Sequence, residues 1–568
     1  MAGLLVATMH PLLFPPARFN DWYNNEHAPS LLRVSYIRNG ARFRATGLTQ
    51  VSQNDPEWLA VYDVDDVDGL QHDPTYASLR AKPQSDLDKE VTARIVLDRA
   101  IYRLEKENIR SDSFVPLESL SNDDARGASL VTILVTVPRN RASGVVTWYD
   151  EQVVGPFSQT PGWRRSRLFS RPIGKNNRDT NDPESESVRF LILVELASPK
   201  ALIKSLNLGF PDMRLRTFEW FYTFGPAPRD LSSLAAITPQ QQKQQEYREQ
   251  QSGRSWTWTS YDHRTRAFRH HIRPIIESVI TTTDGVDIPY RLEGGCGKNI
   301  SFTTGSSYHP LLLLSNPILT DWSIWDYFVD RFLAAHPRWR VLRYLTRGRL
   351  PLPSEKPMTV NVLSSDVLCL LDALRVPKAA LLVGVSLGGI TVLNTSLLYP
   401  KRVGAFVAAD MSPSANESNQ KAWEDRIALA EKDQEADAGG SADKKVGSKL
   451  ASAMAHRWLI PDTFSKKPDL AHRIEKIVAA NSLQGLRSTA PALYDYDIRE
   501  RMARTSVTGL FVAGAEDGSS PQSMKQMAAD LKPSAQLKII EGTGHLPMVE
   551  QPDSFFGVVN GFVDELNS

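Results

Sequence analysis

Apolar runs of strand length punctuate the first 225 residues: Leu4 to Met9, Leu59 to Val64, Ile95 to Leu104, then Leu130 to Val137, Phe190 to Leu196 and Phe218 to Phe224. A helix opens after the first run of each set, at Asp21-Trp22-Tyr23-Asn24-Asn25-Glu26-His27 and at Thr147-Trp148-Tyr149-Asp150-Glu151. Both sets read as βαββαβ with a Trp-Tyr pair at the same helix start, which predicts a degenerate internal repeat over residues 1–110 and 128–225. Each unit leaves one sheet face uncovered, and two units packed face to face would cover both. Beyond residue 275 the pattern becomes strand and helix in alternation, with two strands around the Asp284-Gly285 turn, strands at Leu311 to Leu314 and Val341 to Tyr344, and an amphipathic helix through Val362, Val367, Leu370, Leu371 and Leu374. That alternation predicts a mostly parallel sheet, an α/β architecture.

Two segments break these patterns. Residues 226–274 are polar and glutamine-rich (Gln240, Gln241, Gln242, Gln244, Gln245, Gln250, Gln251) and read as a linker or exposed helix. Residues 411–504 turn helical and polar, the profile of an insertion covering a site, and Glu435 to Ser448 within it reads as a disordered surface loop.

Composition narrows the class. A chain of 568 residues is too long for one core. Lys plus Arg (66) balances Asp plus Glu (65), so no global field points to nucleic acid or an anionic membrane. Two cysteines, Cys296 and Cys369, cannot make a disulfide framework, which fits a reducing, cytoplasmic setting. No run approaches a membrane span, and the first residues lack a signal pattern. His263, His270 and His271 have no cysteine or carboxylate at ligand spacing, so no metal and no cofactor is expected. Arg264, Arg266, Arg269 and Arg273 read as a solvated face. The expected partner is a small-molecule substrate, with a homo-oligomer left open.

The candidate chemistry centres on Leu381-Leu382-Val383-Gly384-Val385-Ser386-Leu387-Gly388-Gly389, an apolar strand entering a Gly-x-Ser-x-Gly turn. Such a turn strains the serine, exposes its Oγ and aims the Leu387 amide at an oxyanion. Asp517 ends the buried strand beginning at Leu510, and His545 follows in the loop Glu541-Gly542-Thr543-Gly544-His545, giving the order nucleophile, acid, base. Asp410, at the end of Val407-Ala408-Ala409, competes for the acid role, and Asp517 is preferred.

Residues 280–568 resemble α/β-hydrolases of the 3-oxoadipate enol-lactonase type. The residues that carry it include Ser315-Asn316, Ser323-Ile324-Trp325-Asp326, Thr346-Arg347-Gly348, Trp423-Glu424-Asp425-Arg426 and Arg457-Trp458. The resemblance implies an α/β-hydrolase fold with a helical lid at about 411–504, and an acyl-enzyme on Ser386 formed from a lactone, enol-lactone or other carboxylic ester. It places an oxyanion amide at the position after Ser-Asn, where this chain has Pro317, which has no N–H, so hydrolysis would be weakened unless Ile318 or a shifted loop supplies the donor. Leu345 stands where the family carries aspartate. Residues 1–225 resemble the dimeric α+β barrels, EthD-like domains in particular, through Phe19 to Pro29. That resemblance implies tandem ferredoxin-like units, with Glu26 and His27 as a candidate proton-transfer pair in the first copy only. The alternatives are a bifunctional isomerase and hydrolase, of aromatic degradation or specialised metabolite synthesis, and a non-hydrolytic ligand-binding protein.

Overall fold

Eight strands of the N-terminal region, β1 (Gly3–His10), β2 (Ile37–Ala45), β3 (Trp58–Val64), β4 (Val96–Ile109), β5 (Ser129–Pro138), β6 (Trp163–Ile173), β7 (Ser187–Leu196) and β8 (Arg214–Thr223), close into a barrel. They run β1-β3-β2-β8-β5-β7-β6-β4, with antiparallel neighbours. The first half therefore reads β4-β1-β3-β2 and the second β8-β5-β7-β6, the same order twice. Leu4, Val6, Phe43, Leu59, Tyr102, Leu130, Phe169, Leu193, Phe218 and Trp220 alternate along their strands and fill the barrel interior. The coordinates are a computed structural model, and they describe residues 1–11, 14–47, 55–81, 85–110, 114–117, 125, 127–173, 186–198, 210, 213–235, 258–259, 264–270, 273–294, 309–352, 358–435, 444–504, 507–531 and 534–567.

Each half carries a π-helical turn at its Trp-Tyr pair, Trp22–His27 and Tyr149–Val154. The sequence pattern did not locate β2 and β6, because arginines interrupt their apolar alternation. Those arginines are internal. Arg42 is fully buried, its guanidinium 4.6 to 5.2 Å from the rings of Trp58, Phe221, Tyr23 and Phe19. Arg165 donates from Nε to Glu195 at 2.9 Å, and Arg167 pairs with Asp63.

The segment expected to be a linker begins as a strap on the barrel. Asn24 Nδ2 donates to Asp230 Oδ2 at 2.6 Å, Asn25 Oδ1 accepts from the Asp230 N–H at 2.8 Å, and Leu231 and Leu234 are buried. Few aliphatics suffice here because buried amide and carboxylate groups satisfy the strap's backbone. The same stretch holds the short antiparallel pair β9 (Trp258–Thr259) and β10 (Arg266–His270). Its glutamines, His263, His271 and residues 436–443 of the low-complexity run lie outside the described residues.

The described residues from Arg273 onward form a second compact unit. Arg273 itself pairs with Glu293 and Asp330 at 3.0 and 2.7 Å. The strands here are β11 (Arg273–Thr281), β12 (Asp287–Gly294), β13 (Leu311–Ser315), β14 (Arg340–Tyr344), β15 (Ala379–Val385), β16 (Val403–Ala409), β17 (Thr508–Gly514) and β18 (Ala535–Ile540), in the order β18-β17-β16-β15-β13-β14-β12-β11. From β14 to β18 neighbours are parallel, while β11 and β12 join antiparallel. Continuous apolar runs such as Leu311 to Leu314 and Leu381 to Val383 are wholly buried, as a sheet covered on both faces requires. Between β16 and β17 stand the helices Asn419–Glu435, Ser448–Trp458, Pro461–Lys466, Pro468–Ala479 and Leu483–Thr489. Among the described residues no helix is long and apolar enough to cross a membrane, and no three His, Cys, Asp or Glu side chains gather where they could hold a metal ion.

Candidate active site

Strand β15 ends at Val385, and Ser386 follows at φ 57°, ψ −123° before the helix Leu387–Leu398. A non-glycine residue at positive φ is strained, and its neighbours hold it there. The Ser386 N–H donates to the Ala409 carbonyl at 2.8 Å, and its own carbonyl accepts from Ile390 at 2.9 Å. A Cβ on Gly384 would lie 2.2 Å from the Gly388 carbonyl oxygen, and one on Gly388 would lie 2.2 Å from that of Ser315. Both glycines are thus demanded by contact distance.

The Ser315-Asn316 segment is fixed from three sides. Asn316 donates to the Tyr344 carbonyl at 2.7 Å and accepts from the Trp325 indole at 2.9 Å, while Ser315 and Tyr344 hydroxyls meet at 2.8 Å. The Pro317 carbonyl accepts from the Thr320 hydroxyl at 2.8 Å, closing the loop that presents Ile318. Among the described residues neither the Leu387 nor the Ile318 N–H has an intramolecular acceptor, and Ile318 lines the same cavity as Ser386. Arg347, part of another sequence motif, is structural, bound by Asp366 and Asp284.

Strand β17 delivers Asp517, whose Oδ2 meets His545 Nδ1 at 2.8 Å. The two segments approach closely: a Cβ on Gly514 would lie 2.0 Å from the Gly544 carbonyl oxygen. Burial pushes the Asp517 carboxyl up, yet the His545 charge and hydrogen bond, with Ser520 and Asp410, hold it below the usual carboxylate range. Asp410 stands behind it. Its Oδ1 accepts from the Gly514 N–H at 2.9 Å, and its other oxygen is buried. Burial first, and then the Asp517 charge, push the Asp410 carboxyl well above its ordinary value. The imidazole contact therefore falls to Asp517, and Asp410 lies behind it as a buried carboxyl whose charged form is disfavoured.

Glu550, which the sequence did not single out, organises the histidine loop. It is buried and accepts from the Gly544 N–H at 2.7 Å, the Thr543 hydroxyl at 3.1 Å and the Ile460 N–H at 2.9 Å, and His545 N–H donates to the Trp458 carbonyl at 2.8 Å. A glutamate in an unremarkable Met-Val-Glu-Gln run gives no signal before the loop is folded.

Ser386, Asp410, Asp517 and His545 line one cavity of about 530 Å³. Helices Asn419–Glu435 and Ser448–Trp458 contribute Trp423, Arg426, Met454 and Arg457. Arg426 lies 4.6 Å over the Trp423 ring. Burial, then the neighbouring Arg457 charge, lowers its pKa. Among the described residues neither guanidinium is ion-paired.

In the barrel, Glu26 is buried and His27 is packed against Trp22 and Tyr23, ring centroids 4.6 and 5.2 Å apart. The pair borders a void of about 10 Å³, room for one water at most. His27 Nε2 accepts from Arg99 at 3.4 Å, and burial, then the Arg99 charge, hold the ring well below its ordinary pKa.

Comparison with known proteins agrees with this geometry over one half of the chain. Residues 305–558 match the model of the alpha/beta hydrolase family. A 3-oxoadipate enol-lactonase of Acinetobacter baylyi is 27% identical over 271 residues, 47% of this chain and 92% of that protein. A putative carbamate hydrolase of Caulobacter is 26% identical over 239 residues, 42% of this chain and 85% of that protein. Among solved structures, a hydrolase from Pseudomonas aeruginosa is 31% identical with a TM-score of 0.42, covering 50% of this chain and 98% of that one. An enol-lactonase from Burkholderia xenovorans is 23% identical with a TM-score of 0.43, covering 50% and 99%. The parallel sheet, the strained serine turn and the matched family model together give the C-terminal half of this chain the alpha/beta hydrolase fold.

Proposed function

We propose that the C-terminal unit is a serine hydrolase that opens a lactone or enol-lactone, or cleaves another carboxylic ester of a small metabolite, through an acyl-enzyme. The observation that carries this reading is the 2.8 Å contact of His545 with Asp517 in the cavity that also holds the strained Ser386. The relatives named as enol-lactonases, at modest identity, point the same way.

In this reading Ser386 Oγ attacks the carbonyl carbon while His545 takes its proton, and Asp517 stabilises the imidazolium. The oxyanion sits between the Leu387 and Ile318 amides. As the ring C–O bond breaks, His545 returns the proton to the leaving oxygen, and an enol so released tautomerises to the ketone. His545 then draws a proton from water, whose oxygen attacks the acyl carbon, and returns that proton to Ser386 Oγ as the acyl C–O bond breaks and the acid is freed. Helices Asn419–Glu435 and Ser448–Trp458 act as the lid, and Arg426 and Arg457 give the cavity a place for a carboxylate on the substrate.

The N-terminal barrel is proposed to be a tandem of ferredoxin-like, EthD-like units, supported by the twice-repeated strand order and the paired π-helical turns. An isomerase step at Glu26 and His27 has little support, since the void beside them holds no substrate.

Ring opening of an enol-lactone, or cleavage of an activated aryl ester, tests the hydrolase directly. Ser386→Ala is expected to lower kcat by about four orders of magnitude or more, and a fluorophosphonate should label Ser386 alone. Equal rates for the two proteins, or labelling elsewhere, would refute it.

A further inference from the structure

The barrel carries a second, larger cavity on its outer face. It measures about 1060 Å³ and lies over the seam where β4 meets β6. Its floor is the outward-facing set of β4, Arg99, Ile101, Arg103 and Glu105, because Ala100, Tyr102 and Leu104 point into the barrel core. The helices Val67–His72, Pro74–Ala81 and Ala142–Trp148 supply its walls.

The charges in this cleft are unevenly compensated. Arg103 is satisfied, with Nη1 donating to Asp68 Oδ2 at 2.8 Å. Arg99 is not: its polar contact is the neutral His27 ring, its Nε is buried without a partner, and no carboxylate reaches it among the described residues. Arg80, an exposed side chain, has no carboxylate partner there and lies 5.6 Å over the Tyr76 ring. The Tyr76 hydroxyl feels both guanidiniums, though burial outweighs them and raises its pKa. The partly buried Arg99 guanidinium, facing only neutral groups, is costly until an anion arrives. Val67, Ile101, Val146, Val188 and Phe190 form the apolar part of the lining, beside the polar Gln71, His72, Glu105, Ser143 and Arg171, and the volume matches that of a small-molecule pocket.

We propose that this cleft binds an amphipathic organic carboxylate, its anion held by Arg99 and Arg80 beside Tyr76 and its hydrophobic body against Ile101, Val146 and Phe190. The site belongs to the barrel and is independent of Ser386 chemistry. It also gives His27 a role that needs no proton transfer: the neutral ring holds Arg99 in place by accepting its N–H.

Calorimetric titration of the full chain with 2-naphthoate tests this. The expected result is a salt-sensitive site that Arg99→Gln and Arg80→Gln each weaken about ten- to hundredfold, with Arg99→Lys intermediate. The uncharged 2-naphthamide should bind at least about tenfold more weakly. Val146→Trp, which fills the cleft from its helix wall, should abolish binding without lowering the thermal transition. The proposal is overturned if no binding appears up to about 10 mM, or if the amide binds as well as the acid. It is equally overturned if inorganic phosphate displaces the probe as effectively as naphthoate itself. Binding that survives both Arg99→Gln and Val146→Trp but is lost in Arg457→Gln would place the probe at the serine cavity and also overturn it.

Discussion

At the scale of single residues, Ser386, Asp517 and His545 could be singled out as candidates because each ends or follows a distinct apolar run, and the fold brings them to one cavity. The groups behind them were not legible. Asp410 looked like a rival acid because both carboxylates end buried strands, and only the fold separates their tasks. Asp410 takes a hydrogen bond from the Gly514 N–H through Oδ1, and burial disfavours its charge. An asparagine can accept that bond and carries no charge. Asp410→Asn should therefore keep kcat within roughly an order of magnitude of wild type. Asp410→Leu strands the buried Gly514 N–H and should cost about 1–3 kcal/mol of stability together with a larger fall in kcat. Denaturant midpoints and esterase rates for the pair would decide it, and equal losses in both variants would count against the arrangement. Pro317 poses a parallel question about the oxyanion. If Ile318 supplies the missing amide, Ile318→Pro should lower kcat by about two to three orders of magnitude with KM little changed. An unaltered kcat would exclude that amide.

At the scale of elements, the alternating pattern revealed the parallel sheet but hid β2 and β6 of the barrel. Arginine normally marks a solvated face, and here Arg42, Arg165 and Arg167 are buried because rings or carboxylates surround them. The 226–235 strap was hidden for the same reason, its anchoring residues being polar. Spacing between elements was equally invisible, as Gly514 shows. Its strand touches the histidine loop with no room for a methyl group. Gly514→Ala should push His545 away from Asp517, lowering kcat by about a hundredfold or more while costing about 1–3 kcal/mol of stability. Proton NMR of the His545–Asp517 hydrogen bond would report the displacement, and an unshifted resonance with normal kcat would contradict it.

For the whole molecule, two buried groups pull stability in opposite directions with pH. His27 titrates well below 6.5 when folded, so unfolding takes up a proton below that value. Its contribution is intact above about pH 6.5 and is lost as pH falls, at no more than about 1.4 kcal/mol per pH unit. Asp410 is raised above 3.8, so its contribution is complete below that pH and fades as pH rises through the folded value. Thermal melts should thus show His27→Gln flattening the acid limb, and Asp410→Asn gaining on wild type toward alkaline pH but not at pH 4. Parallel curves for mutant and wild type would refute either assignment. In the sequence neither group stood out as a determinant of pH response, because desolvation belongs to the folded surroundings rather than to the residue.

The twice-repeated strand order has a consequence for how such a barrel can change. A barrel made from two identical chains must alter both seams with every substitution, whereas a barrel written twice in one chain can alter them separately. This chain has done so. The β2–β8 seam is filled by Arg42 among its aromatic rings, and its counterpart, the β4–β6 seam, is left open as the arginine-lined cleft. Among the described residues, then, one seam is closed by packing and the other stays open, so a ligand that fits the cleft would meet it at one seam rather than at a symmetric pair.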